Sequence, residues 1–202
     1  MKNYREWAPK HNICAFLDEN SKYSLNFQEM IRFLNRSRIK VAITKKTVPY
    51  ISHIQSFWNN AEVDCTQEPP VICSVVLEKP IVISEELIRQ TFEFGDSHDQ
   101  PFILDDRLVK GCFKRMKYTG NINEKQFVRA KLSVQWKYLM LVLVHCLGSK
   151  KGGYDAVQEE LMCAAVALTL NKPFNFSGLV FHYMKSNLIR KDKNFKKYWM
   201  YP

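Results

Sequence analysis

The sequence lacks the cysteine spacing of a metal site or of a disulfide framework. None of its six cysteines is separated from another by two residues, and no Cys/His group has the spacing of a zinc knuckle or finger. Zinc fingers and zinc knuckles need such close pairs. Two of the cysteines, Cys146 and Cys163, lie in apolar runs, where thiols usually behave as small buried hydrophobic groups. The sequence therefore predicts no metal site and no cofactor.

A long apolar run and an N-terminal secretory signal are also missing. The longest apolar run, Tyr138 to Leu147, is far shorter than the roughly 20 residues that cross a bilayer. The chain begins MKNYREWAPKHN, which mixes charged and aromatic side chains and has no apolar centre. We therefore expect a reduced intracellular protein, cytoplasmic or nuclear, without a membrane span. Residues 1–10 are expected to form a flexible lead-in.

Catalytic signatures are missing as well. The segments GSKKGG and YTGN lack the Gly-Lys-Ser/Thr sequence of a phosphate-binding loop, and no Gly-x-Ser-x-Gly elbow occurs. His145 lies in the most apolar segment and is interpreted as a core histidine. A group of aspartates is interpreted as turn formers and helix caps in preference to ligands of a divalent cation. These are Asp96, Asp99, Asp105 and Asp106. The sequence predicts no catalytic residue, and we expect no enzyme.

A large excess of positive charge is present. The 30 Lys and Arg residues outnumber the 20 Asp and Glu residues, which gives a net charge of +10. Such an excess favours association with polyanions, chiefly nucleic acid, although it also simply keeps a protein in solution. Aromatic residues near the C-terminus either stack on unpaired bases or cover an edge of the core. The predicted contacts to RNA or DNA phosphates are Arg36, Arg38, Lys40, Lys45, Lys46, Lys114, Arg115, Lys117, Arg190, Lys191, Lys193, Lys196 and Lys197.

Hydrophobic periodicity predicts a mainly α fold. Apolar residues at helical spacing mark helices near residues 27–34, 51–58, 85–92 and 106–113. The segment Val134–Leu147 is apolar on nearly all sides, so we expect it to be the central core helix. Two more helices are predicted, at roughly Asp155–Leu170 and from an N-cap at Ser177 toward Arg190. Residues 11–202 are thus expected to form a single globular domain of six or seven helices.

One short β-hairpin is predicted in VICSVVLEKPIVIS, Val71 to Ser84, with its turn at Glu78-Lys79-Pro80. Pro80 must lie in that turn or on an edge strand. Ser84 is then expected to cap a helix whose first turn is acidic. The segment Ile39–Lys46 alternates weakly and is interpreted as a strand or an extended connector. An alternative α+β fold, of the longin-like type, needs strands there and at Gln126–Leu132.

Several segments resemble a domain found in polyproteins and orphan reading frames of copia-class plant retrotransposons. The strongest matches are LSVQWKYLMLVLVHCLGSKK and ALTLNKPFNFSGLVF, with weaker ones in HNICAFLDEN, FQEMIRFLNRSRIKVAI, YISHIQSFWNNAEV and KPIVISEELIRQTFEFGD. The resemblance covers roughly residues 11–202. Val134 departs from the pattern, because relatives tend to have proline there. Relatives also continue beyond YWMYP, so we expect a C-terminally truncated copy.

The resemblance implies a function without catalysis. We expect a structural or interaction module that self-associates or binds a protein partner through exposed apolar surface, with weak affinity for polyanions. Two alternatives remain open, a Gag-like nucleic-acid-binding protein and a longin-like trafficking domain. The aromatic segment 195–202 is expected either to pack back across the last helix or to form an exposed patch that favours association.

Overall fold

The structure is a computed structural model that describes residues 14–46, 50–123, 127–148 and 155–189. Helices dominate these residues, so the prediction of a mainly α fold is confirmed. The predicted lead-in, residues 1–10, and the aromatic C-terminal segment, residues 195–202, lie outside the described residues. The helices are α1 (Gln28–Asn35), α2 (Lys40–Thr44), α3 (Ile51–Asn60), α4 (Glu85–Phe92), α5 (Asp106–Arg115), α6 (Val134–Cys146), α7 (Glu159–Leu170) and α8 (Phe176–Ile189), with 3-10 helices at Lys22–Phe27 and Arg129–Lys131.

The strands form two small antiparallel sheets. Strands β1 (Glu62–Asp64), β2 (Val71–Val76) and β3 (Lys79–Ile83) lie in the order β1-β2-β3, with β2 in the centre. The second sheet pairs β4 (Phe127–Val128) with β5 (Ala156–Val157). The predicted hairpin is therefore present as β2 and β3, while β1 adds a third strand that the sequence pattern did not indicate.

The core is built around α6, as predicted from its apolar surface. Leu139 and Leu143 are completely buried, and α6 contacts α7, α1, α2 and both 3-10 helices. Helices α7 and α8 are equally apolar and are buried along most of their length. A single cluster of buried hydrophobic side chains joins these helices to α3, α4, α5 and the sheet.

The segment Ile39–Lys46 corrects one prediction. It contains helix α2 and is neither a strand nor an extended connector. Ala42 and Ile43 are buried, and Thr44 Oγ1 donates a hydrogen bond of 2.7 Å to the carbonyl of Lys40. Packing against α6 thus overrides the strand propensity of these β-branched residues. The longin-like alternative needs a strand at Ile39–Lys46, which contains a helix instead. Its second segment, Gln126–Leu132, contributes only the two-residue strand Phe127–Val128 within the described residues.

The hairpin turn is also displaced from its predicted position. The turn residues are Leu77 and Glu78, whose φ angles are 49° and 63°. Two positive φ angles are the signature of a two-residue type I′ turn, which suits the twist of paired strands. Pro80 lies opposite Val75 on the edge strand β3, in agreement with the prediction for proline.

The start of α8 provides a further correction. Ser177, predicted to be the N-cap, lies inside the helix. Asn175 has that role, because its Oδ1 accepts a hydrogen bond of 2.7 Å from the backbone N–H of Gly178. The predicted cap of α4 is correct, since Ser84 Oγ accepts a hydrogen bond of 3.1 Å from the N–H of Leu87.

Candidate functional site

Two surfaces are candidates for function, an apolar groove and a basic concavity. The apolar groove is a cavity of about 360 Å³ between α3, the β2–β3 hairpin, α4 and α8. Its polar lining side chains are His53 and Thr91. Among its apolar lining residues are Ile54 and Phe57 from α3, Ile81 and Ile83 from β3, and Leu87 and Ile88 from α4.

The alternation of side chains along β3 explains how the hairpin reaches the groove. Ile81 pairs with Ser74, and Ile83 pairs with Ile72, so these residues share the sheet face that α3 covers. Ser74 attaches this face to α3, because its Oγ donates a hydrogen bond of 2.7 Å to the carbonyl of Phe57. The opposite face of β3 presents Val82 beside Cys73.

Apolar side chains around the groove are exposed. Leu87 and Ile81, which line the groove, are 43% and 36% exposed. Leu77 in the hairpin turn is 66% exposed, and Val82, on the opposite face of β3, is 52% exposed. Within α4, Ile88 and Phe92 are buried, whereas Leu87 is not. The structure therefore leaves apolar surface on three neighbouring parts of the chain, β3, the turn before it and the helix after it.

A buried polar network holds α4 against α8 and so fixes the shape of the groove. Asp96, whose side chain is completely buried, accepts hydrogen bonds from Arg89 Nε at 2.8 Å and from Ser177 N–H at 2.8 Å. The hydroxyl of Ser177 donates a third bond at 2.7 Å. Burial opposes the charge of Arg89, but hydrogen bonds to Glu86 and Asp96 outweigh it and raise the pKa of the guanidinium.

Glu85 extends the network toward the loop before α8. It accepts hydrogen bonds from Arg89 Nη2 at 2.7 Å and from Asn175 Nδ2 at 2.9 Å. The side chain of His98 also contacts it, with 3.1 Å between Nδ1 and Oε1. These contacts join α4 to the loop before α8 and help to hold the two helices together.

The basic concavity is formed by α1, the turn after it and the C-terminus of α7. It is an open cavity of about 730 Å³ lined by Arg32, Arg36 and Arg38, together with Glu29 and Asn171. Arg32 forms ion pairs with Glu19 and Glu29. Arg38 Nη2 donates to Asn171 Oδ1 at 3.0 Å, a contact that leaves its charge uncompensated because the amide is neutral. Arg36 is exposed.

The other predicted basic residues are distributed over separate regions. Lys45 Nζ donates to the carbonyl of Thr91 at the end of α4, at 3.2 Å. Lys40 and Lys46 are exposed at the two ends of α2. The predicted residues Arg190, Lys191, Lys193, Lys196 and Lys197 lie outside the described residues.

Lys114, Arg115 and Lys117 lie at the opposite end of α7 from the basic concavity. They follow Phe113, whose ring is 4.4 Å from that of Phe127 between centroids. Phe127 pairs with Val157, two residues before α7 begins. The concavity contains Asn171, the residue after α7 ends. A helix of 12 residues is about 18 Å long, so the structure separates these two basic groups instead of bringing them together.

A third cavity, of about 400 Å³, lies beside α6 and is lined by Cys14, Tyr138, His145 and Cys146. Burial, with a smaller contribution from Cys14, raises the pKa of Cys146 to about 12. Burial and the nearby charge of Arg129 lower the pKa of His145. The thiol of Cys146 is thus kept protonated, which is the opposite of what a nucleophilic cysteine requires.

The aspartates considered in the sequence have separate structural positions. Asp105 caps α5 by accepting a hydrogen bond of 3.1 Å from the N–H of Leu108, and Asp99 accepts one from Ser97. Within the four described stretches, no group of three or more His, Cys, Asp or Glu is arranged to hold a metal ion. No helix in those stretches is long and apolar enough to span a membrane.

Comparisons with protein families, with curated proteins and with solved structures found no match. The resemblance to a retrotransposon-associated domain therefore stays a prediction.

Proposed function

We propose that this chain is a non-enzymatic, retrotransposon-derived domain that works as a self-associating interaction module with weak affinity for polyanions. The observation that supports it best is the exposed apolar surface of Leu87 and Ile81 in the groove, together with exposed Leu77 and Val82 elsewhere on the same hairpin. Exposed apolar surface costs free energy in water, and soluble proteins commonly use it for interaction. The partner that we propose is a second copy of the chain.

The test is the oligomeric state of the protein as a function of its concentration. We expect sedimentation velocity and light scattering to show reversible association. Leu87→Ser should weaken it about tenfold or more, because Leu87 lines the groove and is 43% exposed. Ile103→Ser is the matched control, since Ile103 is 46% exposed and does not line the groove.

A chain that stays monomeric at all accessible concentrations contradicts the proposal. Equal weakening by Leu87→Ser and Ile103→Ser contradicts the assignment to the groove, because it would mean that association depends on total apolar surface.

Nucleic-acid binding is the second candidate function, and the basic concavity favours it. Arg36 and Arg38 lie in one concavity, and the hydrogen bond of Arg38 to Asn171 leaves a net positive charge there. Arginine is well suited to phosphate because its planar guanidinium can donate two hydrogen bonds at once. Such binding would be independent of base sequence, since phosphate contacts carry no sequence information.

Filter binding of a single-stranded RNA at several salt concentrations tests this candidate. Two phosphate contacts contribute about 1.4 to the slope of log affinity against log salt, so Arg36→Gln with Arg38→Gln should reduce the slope by that amount. The matched control changes the same number of charges at the other end of α7, Lys114→Gln with Arg115→Gln. Equal effects of the two double variants would show binding by net charge, without a site at the concavity.

A further inference from the structure

The outer edge of β3 is an open strand edge. Strand order β1-β2-β3 leaves one side of β3 without a neighbouring strand among the described residues. Residues 79–82 are all exposed, whereas the other edge, β1, lies against α8. An open edge presents unpaired N–H and C=O groups that can pair with another strand.

The register of the hairpin shows which groups point outward. In a two-residue hairpin the residues that flank the turn, here Val76 and Lys79, form a hydrogen-bonded pair. Within the hairpin, the next hydrogen-bonded pairs are Ser74 with Ile81 and Ile72 with Ile83. The alternate residues Pro80 and Val82 therefore direct their backbone groups away from β2, and Ser84, which is also extended, continues the alternation.

We propose that two copies of the chain join edge to edge through β3, antiparallel and with Val82 of one copy opposite Val82 of the other. The result is a continuous six-stranded antiparallel sheet with a two-fold axis at Val82. This inference rests on the proposed function and specifies the surface that self-association uses.

Backbone hydrogen bonding selects this register. The two Val82 residues exchange two hydrogen bonds, and the N–H of each Ser84 donates to the carbonyl of Pro80 in the other copy. Proline has no N–H, and the carbonyl of Ser84 already accepts a bond from Ile88 in α4. The Pro80–Ser84 pair therefore leaves no group unsatisfied, because Pro80 has no N–H to donate and the Ser84 carbonyl that would accept it is already bonded. Pairing centred on Pro80 would lose both central bonds, because neither proline can donate.

The side chains match in the same register. Ile81 of one copy lies opposite Ile83 of the other on the groove face, so apolar residues meet and the two grooves adjoin. On the opposite face the two Val82 side chains meet, and each lies beside its own Cys73. Apolar β-branched pairs of this kind are favourable across strands. Lys79 comes beside the acidic first turn of α4 in the other copy, and Glu78 lies in the turn beyond the paired residues.

Val82→Pro is the first test. The Val82 N–H points away from β2, so proline in both copies removes the two central intermolecular bonds and no bond of the hairpin. We expect sedimentation velocity to show at least a hundredfold loss of self-affinity, with an unchanged circular dichroism spectrum. Val82→Thr is the matched control, because it keeps the N–H and the β-branched shape, and it should associate like the natural chain.

Disulfide cross-linking tests the register in chains that keep Val82. In a background with Cys14→Ser and Cys65→Ser, one tagged chain carries Ile81→Cys and the other carries Ile83→Cys. These positions form a non-hydrogen-bonded pair about 4.5 Å apart between Cα atoms, which is within disulfide reach. The mixture should give a cross-linked heterodimer. A mixture of Lys79→Cys with Ile83→Cys, which requires a register shifted by two residues, should not.

The outcomes separate this inference from the function on which it rests. If the chain self-associates but Val82→Pro associates equally well and no Ile81–Ile83 cross-link forms, the β3 pairing is wrong and self-association stands. If the natural chain does not associate, both are wrong. If Val82→Pro fails to fold, the two cross-linking mixtures decide the register.

Discussion

The buried carboxylate of Asp96 is the side chain on which the geometry of the groove most depends. It accepts hydrogen bonds from Arg89 and Ser177, and it lies at the N-terminus of α8. A negative charge is favourable there because the first amides of a helix are unpaired and its dipole is positive at that end. One residue therefore connects α4 to α8 by both charge and hydrogen bonding.

Asp96→Asn should lower the free energy of unfolding by about 2 kcal/mol, since Arg89 keeps its ion pairs with Glu85 and Glu86. The amide has no negative charge, so Arg89 loses its fully buried counter-ion and the start of α8 loses a favourable charge. Urea denaturation followed by circular dichroism measures the change. The control is Asp99→Asn, an exposed aspartate whose partner Ser97 lies two residues away, and it should change stability much less. Equal effects would contradict the role given to Asp96.

Cys146 should make stability fall at alkaline pH. Its pKa is raised from 9.0 to about 12 in the fold, so folding favours the protonated thiol. This contribution is complete below pH 9 and is lost between pH 9 and pH 12, by up to about 1.4 kcal/mol per pH unit. Urea denaturation at pH 8 to 10.5 measures the slope. Cys146→Ala removes one contribution, while Cys112, Cys163 and Tyr138, whose pKa values burial also raises, still contribute, so the fall should become shallower without disappearing. Parallel slopes for the two chains would contradict this prediction.

At the scale of elements, hydrophobic periodicity located most helices because their buried residues recur at helical spacing. Met30, Ile31 and Leu34 are buried in the helix predicted near residues 27–34, and Val109 and Phe113 are buried in the helix predicted near residues 106–113. Periodicity failed for α2, where five residues are too few to show a helical repeat and contact with α6 decides the conformation. It also missed β1, whose three residues are a strand only because β2 pairs with them.

The apolar groove could be predicted only in part. The helices near residues 51–58 and 85–92 and the hairpin were predicted from the sequence. The groove requires α3, α4, α8 and β3 to meet, and this is a property of the tertiary arrangement. For the basic residues, the residue types could be predicted but their separation in space could not. Lysine and arginine are easily seen in a sequence, yet Arg36 and Arg115 lie at opposite ends of α7, which their spacing along the chain does not reveal.

Replacing the two turn residues between β2 and β3 by an Asn-Gly pair should stabilise the protein. Leu77 and Glu78 both have positive φ angles, a conformation that Asn and Gly adopt at lower cost. The double substitution, Leu77→Asn with Glu78→Gly, should raise the free energy of unfolding by about 1 kcal/mol. Urea denaturation in dilute protein measures it. Leu77→Val is the control and should destabilise, because a β-branched side chain opposes positive φ. No gain from Asn-Gly would contradict the turn assignment.

For the whole molecule, one hydrophobic cluster reaches from α1 to α8. Completely buried residues occur in α1, α6 and α7, namely Leu34, Leu143 and Leu161. The loss of packing in one helix therefore exposes its neighbours. This favours a single cooperative unfolding transition for the described part of the chain.

Leu143→Ala should lower the midpoint of that unfolding transition, and the protein should still unfold in a single step. Deleting a buried leucine side chain costs about 3 kcal/mol through lost burial and the cavity that remains. We expect tryptophan fluorescence, which reports partly on buried Trp58 in α3, to change together with circular dichroism, which reports on all helices. Separated curves, with α3 retained while other helices unfold, would show that the cluster is not one cooperative unit.

The hydrogen bonds between Asp96 and Ser177 join residues that are 81 positions apart in the chain. Translation proceeds from the N-terminus at about 5–20 residues per second, so the ribosome takes about 4 to 16 s to add Ser177 after Asp96. Throughout that interval α4 has been synthesised and α8 has not. The groove can therefore take its final shape only late in synthesis, after α8 has been made. Nascent chains that meet before α8 is made do so without a complete groove.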